Sequence, residues 1–206
     1  MTGDSIHDSD AELVARYRAG DVEALEMLVL RYRGSLFGFI SNMVSSGPEA
    51  DEVFQEVWFR VMRKLAIYRD RNFRAWIMRI AHNIVIDRIR RQQGWCSLDA
   101  GWDEEEGATL AATVVAPDPA PDVRAEADDL GRRIAKAVGT LPPEQRAVFV
   151  MRVEHEMPFR EIARIQGVPL NTALARMHYA IRKLRAILKD DYVAIAVGEP
   201  AVSMAT

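Results

Sequence analysis

Residues 73–91 read FRAWIMRIAHNIVIDRIRR. The apolar residues of this stretch recur three to four positions apart, which is the period of an amphipathic helix. The stretch also carries five arginines, more positive charge than an ordinary core helix needs. The predicted buried stripe comprises Phe73, Trp76, Ile77, Ile80, Ala81 and Ile84. A second face carries polar residues that can offer arginine to phosphates and asparagine to a base edge, namely Arg79, Asn83, Asp87, Arg90 and Arg91.

Helical periodicity falls into two segments, at about residues 10–93 and 130–189, and no segment alternates as a strand does. Asp10 and Asp21 are the predicted N-caps of the first two helices. Pro48 suits the first turn of the third helix, because its missing N–H has no intrahelical partner there in any case. The expected fold class is therefore all-α.

The second segment contains the pattern of a helix-turn-helix. Residues 140–144, TLPPE, stop one helix and start another. Further on, Ala163 lies four residues before a turn glycine, Gly167, so that two helices can cross closely. A long second helix is predicted over Leu170–Leu188. Spacing alone leaves a plain helical hairpin open as the alternative.

The two helical segments are separated by a stretch of different composition. Residues 94–129 are rich in Gly, Ala, Asp and Glu, contain alternating prolines and have no apolar period. This composition predicts a flexible acidic linker. The expected organisation is two small helical domains, at 10–93 and 130–189, joined by the linker at 94–129 and followed by a weakly patterned tail at 190–206.

The net charge of −3 hides a strong segregation of charge along the chain. Residues 60–91 contain ten Lys and Arg against two Asp, and residues 96–129 contain ten Asp and Glu against one Arg. Residues 130–189 are basic again, with twelve Lys and Arg against four Glu. Two basic blocks suggest two contacts with a polyanion, although a solvated surface of mixed charge would give similar counts.

Several function classes lack their sequence signatures. The four histidines are scattered, and HExxH, CxxC and phosphate-binding glycine loops are missing from the sequence. We therefore expect no enzyme activity, catalytic residue, metal, cofactor or small-molecule substrate. The acidic run Asp103–Glu106 is interpreted as solvated linker, and Cys96 as an incidental thiol. Without a secretory signal or a long apolar run, we expect a cytoplasmic protein that does not insert into a membrane.

Four longer motifs resemble the sigma-70 family of transcription initiation factors. ADEVFQEVWFRV at 50–61 and the stretch at 73–91 are similar to the family's second conserved region. LPPEQRAVFVMRV at 141–153 and FREIARIQGVPLNTALARMHYAIRKL at 159–184 are similar to its fourth region. A chain with only these two regions and a short linker resembles the extracytoplasmic function (ECF) group.

The resemblance implies partners and site residues. Asp51, Glu52, Gln55 and Glu56 would bind the clamp helices of the β′ subunit of core RNA polymerase, and the β subunit is a further implied partner of the protein. Arg79, Asn83, Asp87, Arg90 and Arg91 would bind the −10 element of promoter DNA and capture a flipped base. Arg160, Thr172, Arg176 and His178 would bind the −35 element. An anti-sigma factor is a further implied partner.

This chain departs from the family pattern in its recognition helix. The run from Asn171 to Arg176 has leucine and alanine where the family often has lysine and serine, and Tyr179 replaces a frequent arginine. Two other functions therefore stay open. One is a stand-alone helix-turn-helix regulator that binds duplex DNA without polymerase. The other is a protein–protein adaptor whose second domain binds a partner helix.

Overall fold

The computed structural model describes residues 8–69, 72–92 and 124–189, with side chains from residue 131 onward in the last range. Within these ranges all the regular structure is α-helical, which confirms the predicted fold class. The helices are α1 (Asp10–Arg18), α2 (Val22–Met43), α3 (Gly47–Leu65), α4 (Phe73–Gln92), α5 (Arg124–Gly139), α6 (Pro143–Val153), α7 (Phe159–Gln166) and α8 (Leu170–Ile187). None of the described helices combines the length and apolarity needed to cross a bilayer.

The starts of the first helices follow from local hydrogen bonding. Asp21 caps α2 by accepting from the backbone N–H groups of Glu23 and Ala24, as predicted. The predicted cap of α1 was wrong by one residue, because Ser9 and Glu12 form a reciprocal capping box there. Asp10 is instead the first helical residue, and its carboxylate pairs with Arg31 at 2.7 Å.

The N-terminal core lies between α2, α3 and α4. It is filled by fully buried apolar side chains that recur at helical spacing, among them Leu28, Leu36, Phe39, Val57, Val61, Leu65, Phe73 and Ile77. Helix α4 is buried on more of its circumference than the single predicted stripe, because it packs against both α3 and α7. Met78, His82 and Val85 are therefore buried too, whereas Trp76 is only partly buried.

The C-terminal helices form the predicted helix-turn-helix. Helix α7 ends at Gly167, whose φ of 68° lies in the left-handed region that glycine adopts without a Cβ penalty. The following turn is closed by a 3.0 Å hydrogen bond from the Val168 N–H to the Ala163 carbonyl. Helix α8 then begins at Leu170, as predicted. Helix α5 begins at Arg124, inside the stretch predicted as linker, while the predicted tail at 190–206 lies outside the described residues.

The two helical segments pack directly against each other. The Arg74 guanidinium on α4 donates to the His155 carbonyl at 2.5 Å, and the Asn42 amide on α2 donates to the Glu154 carboxylate at 2.9 Å. The His155 ring fills the space over Gly38, where an added Cβ would stand 3.7 Å from its Cε1. The sequence pattern did not predict this closed arrangement.

Candidate functional site

The first candidate surface is the solvent-facing side of α3. Ser46 caps the helix by accepting from the Glu49 N–H, and Pro48 occupies its first turn. The inward face is anchored by Val53, Val57 and Val61, each fully buried. All four of the predicted polymerase-binding residues lie on the remaining face, with Asp51, Glu52 and Gln55 exposed and Glu56 partly buried.

Charge on the α3 face is only partly neutralised within the protein. Glu52 pairs with Arg88 of α4 at 2.6 Å, and Glu56 pairs with Arg60 one turn along at 2.6 Å. Within the described ranges, no hydrogen bond or ion pair engages the side chains of Asp51 and Gln55. The face therefore offers a carboxylate and an amide that are free to meet a basic, hydrogen-bonding partner.

Phe59 extends the same face and was missed by the sequence analysis. It lies one turn beyond Gln55 and Glu56 and is 62% exposed. An apolar ring beside an acidic patch is typical of a protein interface, in which aromatic anchors provide much of the binding energy. The sequence contained a signal for this residue, because position 59 falls four residues after Gln55 and therefore on the same face of a helix.

The second candidate surface is a line of polar side chains on α4. Arg79, Asn83 and Asp87 are all exposed and follow one another at single-turn spacing, so they form one continuous row. The other two predicted residues of this set, Arg90 and Arg91, lie at the C-terminal end of the helix, where both are exposed. The structure thus brings together all five residues of the predicted −10 set.

An aromatic cluster fixes the start of α4. Tyr68 and Trp76 lie 4.6 Å apart between ring centroids, and Phe73 packs edge-on to Tyr68 at 5.6 Å. Arg18 holds the preceding turn by donating to the Leu65 carbonyl at 2.8 Å and to the Tyr68 carbonyl. These contacts orient the first turn of α4, and therefore the exposed row that follows, without using any residue of that row.

A buried histidine lies directly behind the α4 row. His82 is only 6% exposed, and its Nδ1 lies 3.3 Å from the Asn83 Oδ1. Burial lowers the pKa of His82, while Asn83 and the charge of Glu144 partly oppose the shift. The imidazole is therefore neutral near pH 7 and contributes packing rather than charge to the row.

The third candidate surface lies on α7 and α8, where the predicted −35 residues have different surroundings. Arg160 and His178 are exposed, whereas Thr172 and Arg176 are partly buried. The Arg176 guanidinium donates to the Gln166 amide oxygen at 2.8 Å, and burial lowers its pKa. The four residues therefore do not form one exposed patch in this arrangement of the chain.

One carboxylate links the second and third surfaces. Glu144, in the first turn of α6, pairs with Arg90 of α4 at 3.1 Å. Its charge also acts on Arg176 of α8 and on His82. A residue predicted for the −10 element and another predicted for the −35 element thus share one intramolecular acidic neighbour.

A metal centre has no support in the described part of the chain, where no three His, Cys, Asp or Glu side chains converge. The acidic run Asp103–Glu106 and Cys96 lie outside the described residues.

Comparison with known proteins identifies the family. Residues 28–94 match the family model "Sigma-70 region 2", and residues 131–184 match "Sigma-70, region 4". The RNA polymerase sigma factor CarQ of Myxococcus xanthus is 30% identical, over 85% of this chain and 95% of its own. The ECF RNA polymerase sigma factor SigW of Bacillus subtilis is 29% identical, over 86% of this chain and 95% of its own.

Two solved structures share the arrangement of helices. CnrH, solved in complex with the cytosolic domain of CnrY, has a TM-score of 0.64 at 25% identity and covers 89% of this chain and 99% of its own. The sigma factor RpoE from Bartonella quintana has a TM-score of 0.59 at 18% identity and covers 82% of this chain and 98% of its own. The solved structures share the fold, and the family models and the two relatives confirm the resemblance found in the motifs: the chain belongs to the sigma-70 family, as an RNA polymerase sigma factor of the ECF group.

Proposed function

We propose that the protein is an alternative sigma factor that uses α3 to bind core RNA polymerase and α4 and α8 to bind the −10 and −35 promoter elements. The observation that carries the assignment is the presence of two separate exposed faces on one helical bundle. The α3 face presents Asp51, Gln55 and Phe59, while the α4 face presents arginines and Asn83. A regulator that only binds duplex DNA needs the basic face and has no use for the acidic one.

The α3 face suits a basic protein partner. An exposed carboxylate, an exposed amide and an exposed aromatic ring are the groups that give a protein interface its charge complementarity, hydrogen bonding and apolar anchor. The family resemblance points to the clamp helices of the β′ subunit as the partner of this face, and to the β subunit as a further contact of the protein. Glu52 and Glu56 belong to the same face, where their intramolecular pairs with Arg88 and Arg60 would compete with the partner.

The α4 row suits melted promoter DNA. Arg79, Arg90 and Arg91 provide positive charge for phosphates, and the Asn83 amide can both donate to and accept from a base edge. Asp87, one turn beyond Asn83, adds an acceptor for an exocyclic amino group. Capture of a flipped base costs a few kcal/mol of unstacking, which contacts of this kind would offset.

The protein acts in the cytoplasm as a binding subunit and not as an enzyme, because the chemistry of initiation belongs to the polymerase. An anti-sigma factor is its further partner. Support for a protein partner comes from CnrH, which is 25% identical and was solved in complex with the cytosolic domain of CnrY.

The test is binding of the purified protein to bacterial core RNA polymerase, with the double variant Asp51→Arg/Gln55→Ala beside the wild type. We expect the double variant to lose at least about 30-fold in affinity, because it replaces attraction by like-charge repulsion at the centre of the face. Glu26→Arg, an equal charge change at an exposed position of α2, is the matched control and should bind normally.

Both variants change exposed residues, so unaltered circular dichroism is expected for each. Wild-type protein that folds correctly and does not bind core polymerase would contradict the proposal. Equal loss in the Glu26→Arg control would show that net charge, and not the α3 face, determines binding.

A further inference from the structure

The outward face of the recognition helix α8 is unusually apolar. Leu170 and Leu174 are 37% and 42% exposed, and Ala175 beside them is exposed as well. The opposite face is buried through Ala173, Ala180 and Leu184. Two leucines one turn apart therefore point away from the protein, at the end of the helix that a helix-turn-helix presents to DNA bases.

Two of the polar side chains that could contact bases from the first half of α8 are only partly exposed. The Arg176 guanidinium is partly buried and donates to Gln166 at 2.8 Å, and Thr172 is partly buried as well. Only Asn171 and His178 remain as exposed polar neighbours of the two leucines in the first half of α8. Arginine or lysine pairing with guanine, the commonest specific contact in the major groove, thus has no exposed donor at the start of this helix.

The surroundings of the apolar face suit DNA better than an apolar protein surface. Helix α8 has no acidic residue along its length. Exposed cations lie on α7 and on the later turns of α8, namely Arg160, Arg164, Arg182, Lys183 and Arg185. Positive charge on both helices of the motif attracts DNA phosphates, and it would be costly to bury against an apolar partner.

The major groove offers one apolar group that distinguishes bases, the 5-methyl group of thymine. We infer that Leu174, with Leu170 and Ala175 beside it, reads thymine methyl groups in the −35 element. This inference rests on the proposed function, in which α8 enters the −35 major groove. It assigns to this chain a methyl-dependent readout at the positions where the family pattern has lysine and serine.

The test begins with a promoter library in which the −35 segment is randomised, so that the selection itself reveals the preferred sequence. Holoenzyme formed from core polymerase and the full chain selects duplexes from this library. Each thymine of the selected −35 segment is then replaced by uracil, which removes the methyl group and nothing else. We expect one or two of these replacements to weaken binding by about 3- to 10-fold, the effect of losing one or two buried methyl contacts.

Variants connect the methyl group to its reader. Leu174→Ala should weaken binding to the thymine duplex by a similar factor and should be insensitive to uracil at that position. Ile187→Ala, which truncates a 44% exposed side chain at the far end of α8, is the matched control and should keep both the affinity and the uracil effect. Both changes are at exposed positions, so folding should be unaffected.

The possible outcomes separate the inference from the function on which it rests. Enrichment of no −35 sequence would contradict the proposed role of α8 and the inference together. Enrichment of a sequence without thymine dependence, or a uracil effect that persists in Leu174→Ala, would overturn the inference and leave the −35 role intact. Unchanged selection by the Leu174→Ala holoenzyme would also overturn it and would favour a protein partner for this face.

Discussion

Binding to a promoter should pull the two helical segments apart. The −10 and −35 elements are about 25 base pairs apart, which corresponds to about 85 Å along B-DNA. In the structure, α4 and α7 are in contact, and Arg74 of α4 donates to the His155 carbonyl at 2.5 Å. A folded chain of this size is only about 45 Å across, so the closed arrangement cannot reach both elements at once. Residues 93–123 could reach about 100 Å if fully extended, which is sufficient for the separation.

Energy transfer between two dyes measures this opening directly. Cys96 is the single cysteine, so a Cys96→Ser background allows labelling at Lys64→Cys on α3 and Arg185→Cys on α8, both exposed positions. The dye separation should rise from below about 45 Å in the free protein to about 85 Å in the promoter complex. For a dye pair whose Förster distance lies between these two values, the efficiency of energy transfer should fall from well above one half to well below one half.

A second dye pair provides the control for this experiment. Glu26→Cys on α2 and Lys64→Cys on α3 lie within one segment, so transfer between them should not change. High transfer between α3 and α8 in a complex that footprints at both elements would contradict the separation of the two segments. It would mean either that the DNA is sharply bent or that α8 does not contact the −35 element.

Three further predictions concern single residues. Asn83→Ala should reduce open-complex formation at least about tenfold, while closed-complex binding changes less. Open complexes are measured by the permanganate reactivity of the −10 thymines. An equal loss of open and closed complexes would contradict the base-capture role. Gly167→Ala should lower the free energy of unfolding by about 1 kcal/mol, because φ is 68° while a Cβ there meets no atom within 4 Å. Gly131→Ala is the control and should not lower the free energy of unfolding, because Gly131 is helical and a Cβ there also meets no atom within 4 Å. Burial lowers the pKa of His82 and His155, so the unfolded chain binds more protons than the folded protein near pH 6. The free energy of unfolding, measured in urea, should therefore fall below about pH 6.5, by at most about 1.4 kcal/mol per pH unit for each histidine. A free energy that does not fall, or a fall that is unchanged in His82→Asn, would contradict this pH dependence.

Local features of the fold could be predicted from sequence because their causes are local. The turn at Gly167 and the helix start at Pro143 depend on residues that fix φ within a few positions. The exposed row of Arg79, Asn83 and Asp87 follows from the 3.6-residue period alone. Ser9 was missed as a cap because two neighbouring residues both have capping side chains, and only the backbone geometry selects one.

Long-range packing could not be predicted in this way. The contact of Arg74 with the His155 carbonyl joins residues 81 positions apart, and no periodicity encodes it. The burial of His82 has the same origin, because α4 is covered on a second side by α7. The partial burial of Arg176 has a similar origin, because its guanidinium donates to Gln166 in the preceding helix, and the predicted −35 set did not anticipate this contact.

Run-off transcription by core RNA polymerase, on a promoter selected from the randomised −35 library, tests whether the protein acts as a sigma factor. With wild-type protein we expect transcripts from one discrete start site, none with core enzyme alone, and at least about a tenfold loss with Asp51→Arg/Gln55→Ala. Protein that binds the selected duplex by itself and gives core polymerase no specific start site would contradict the proposed function and would identify a stand-alone DNA-binding regulator.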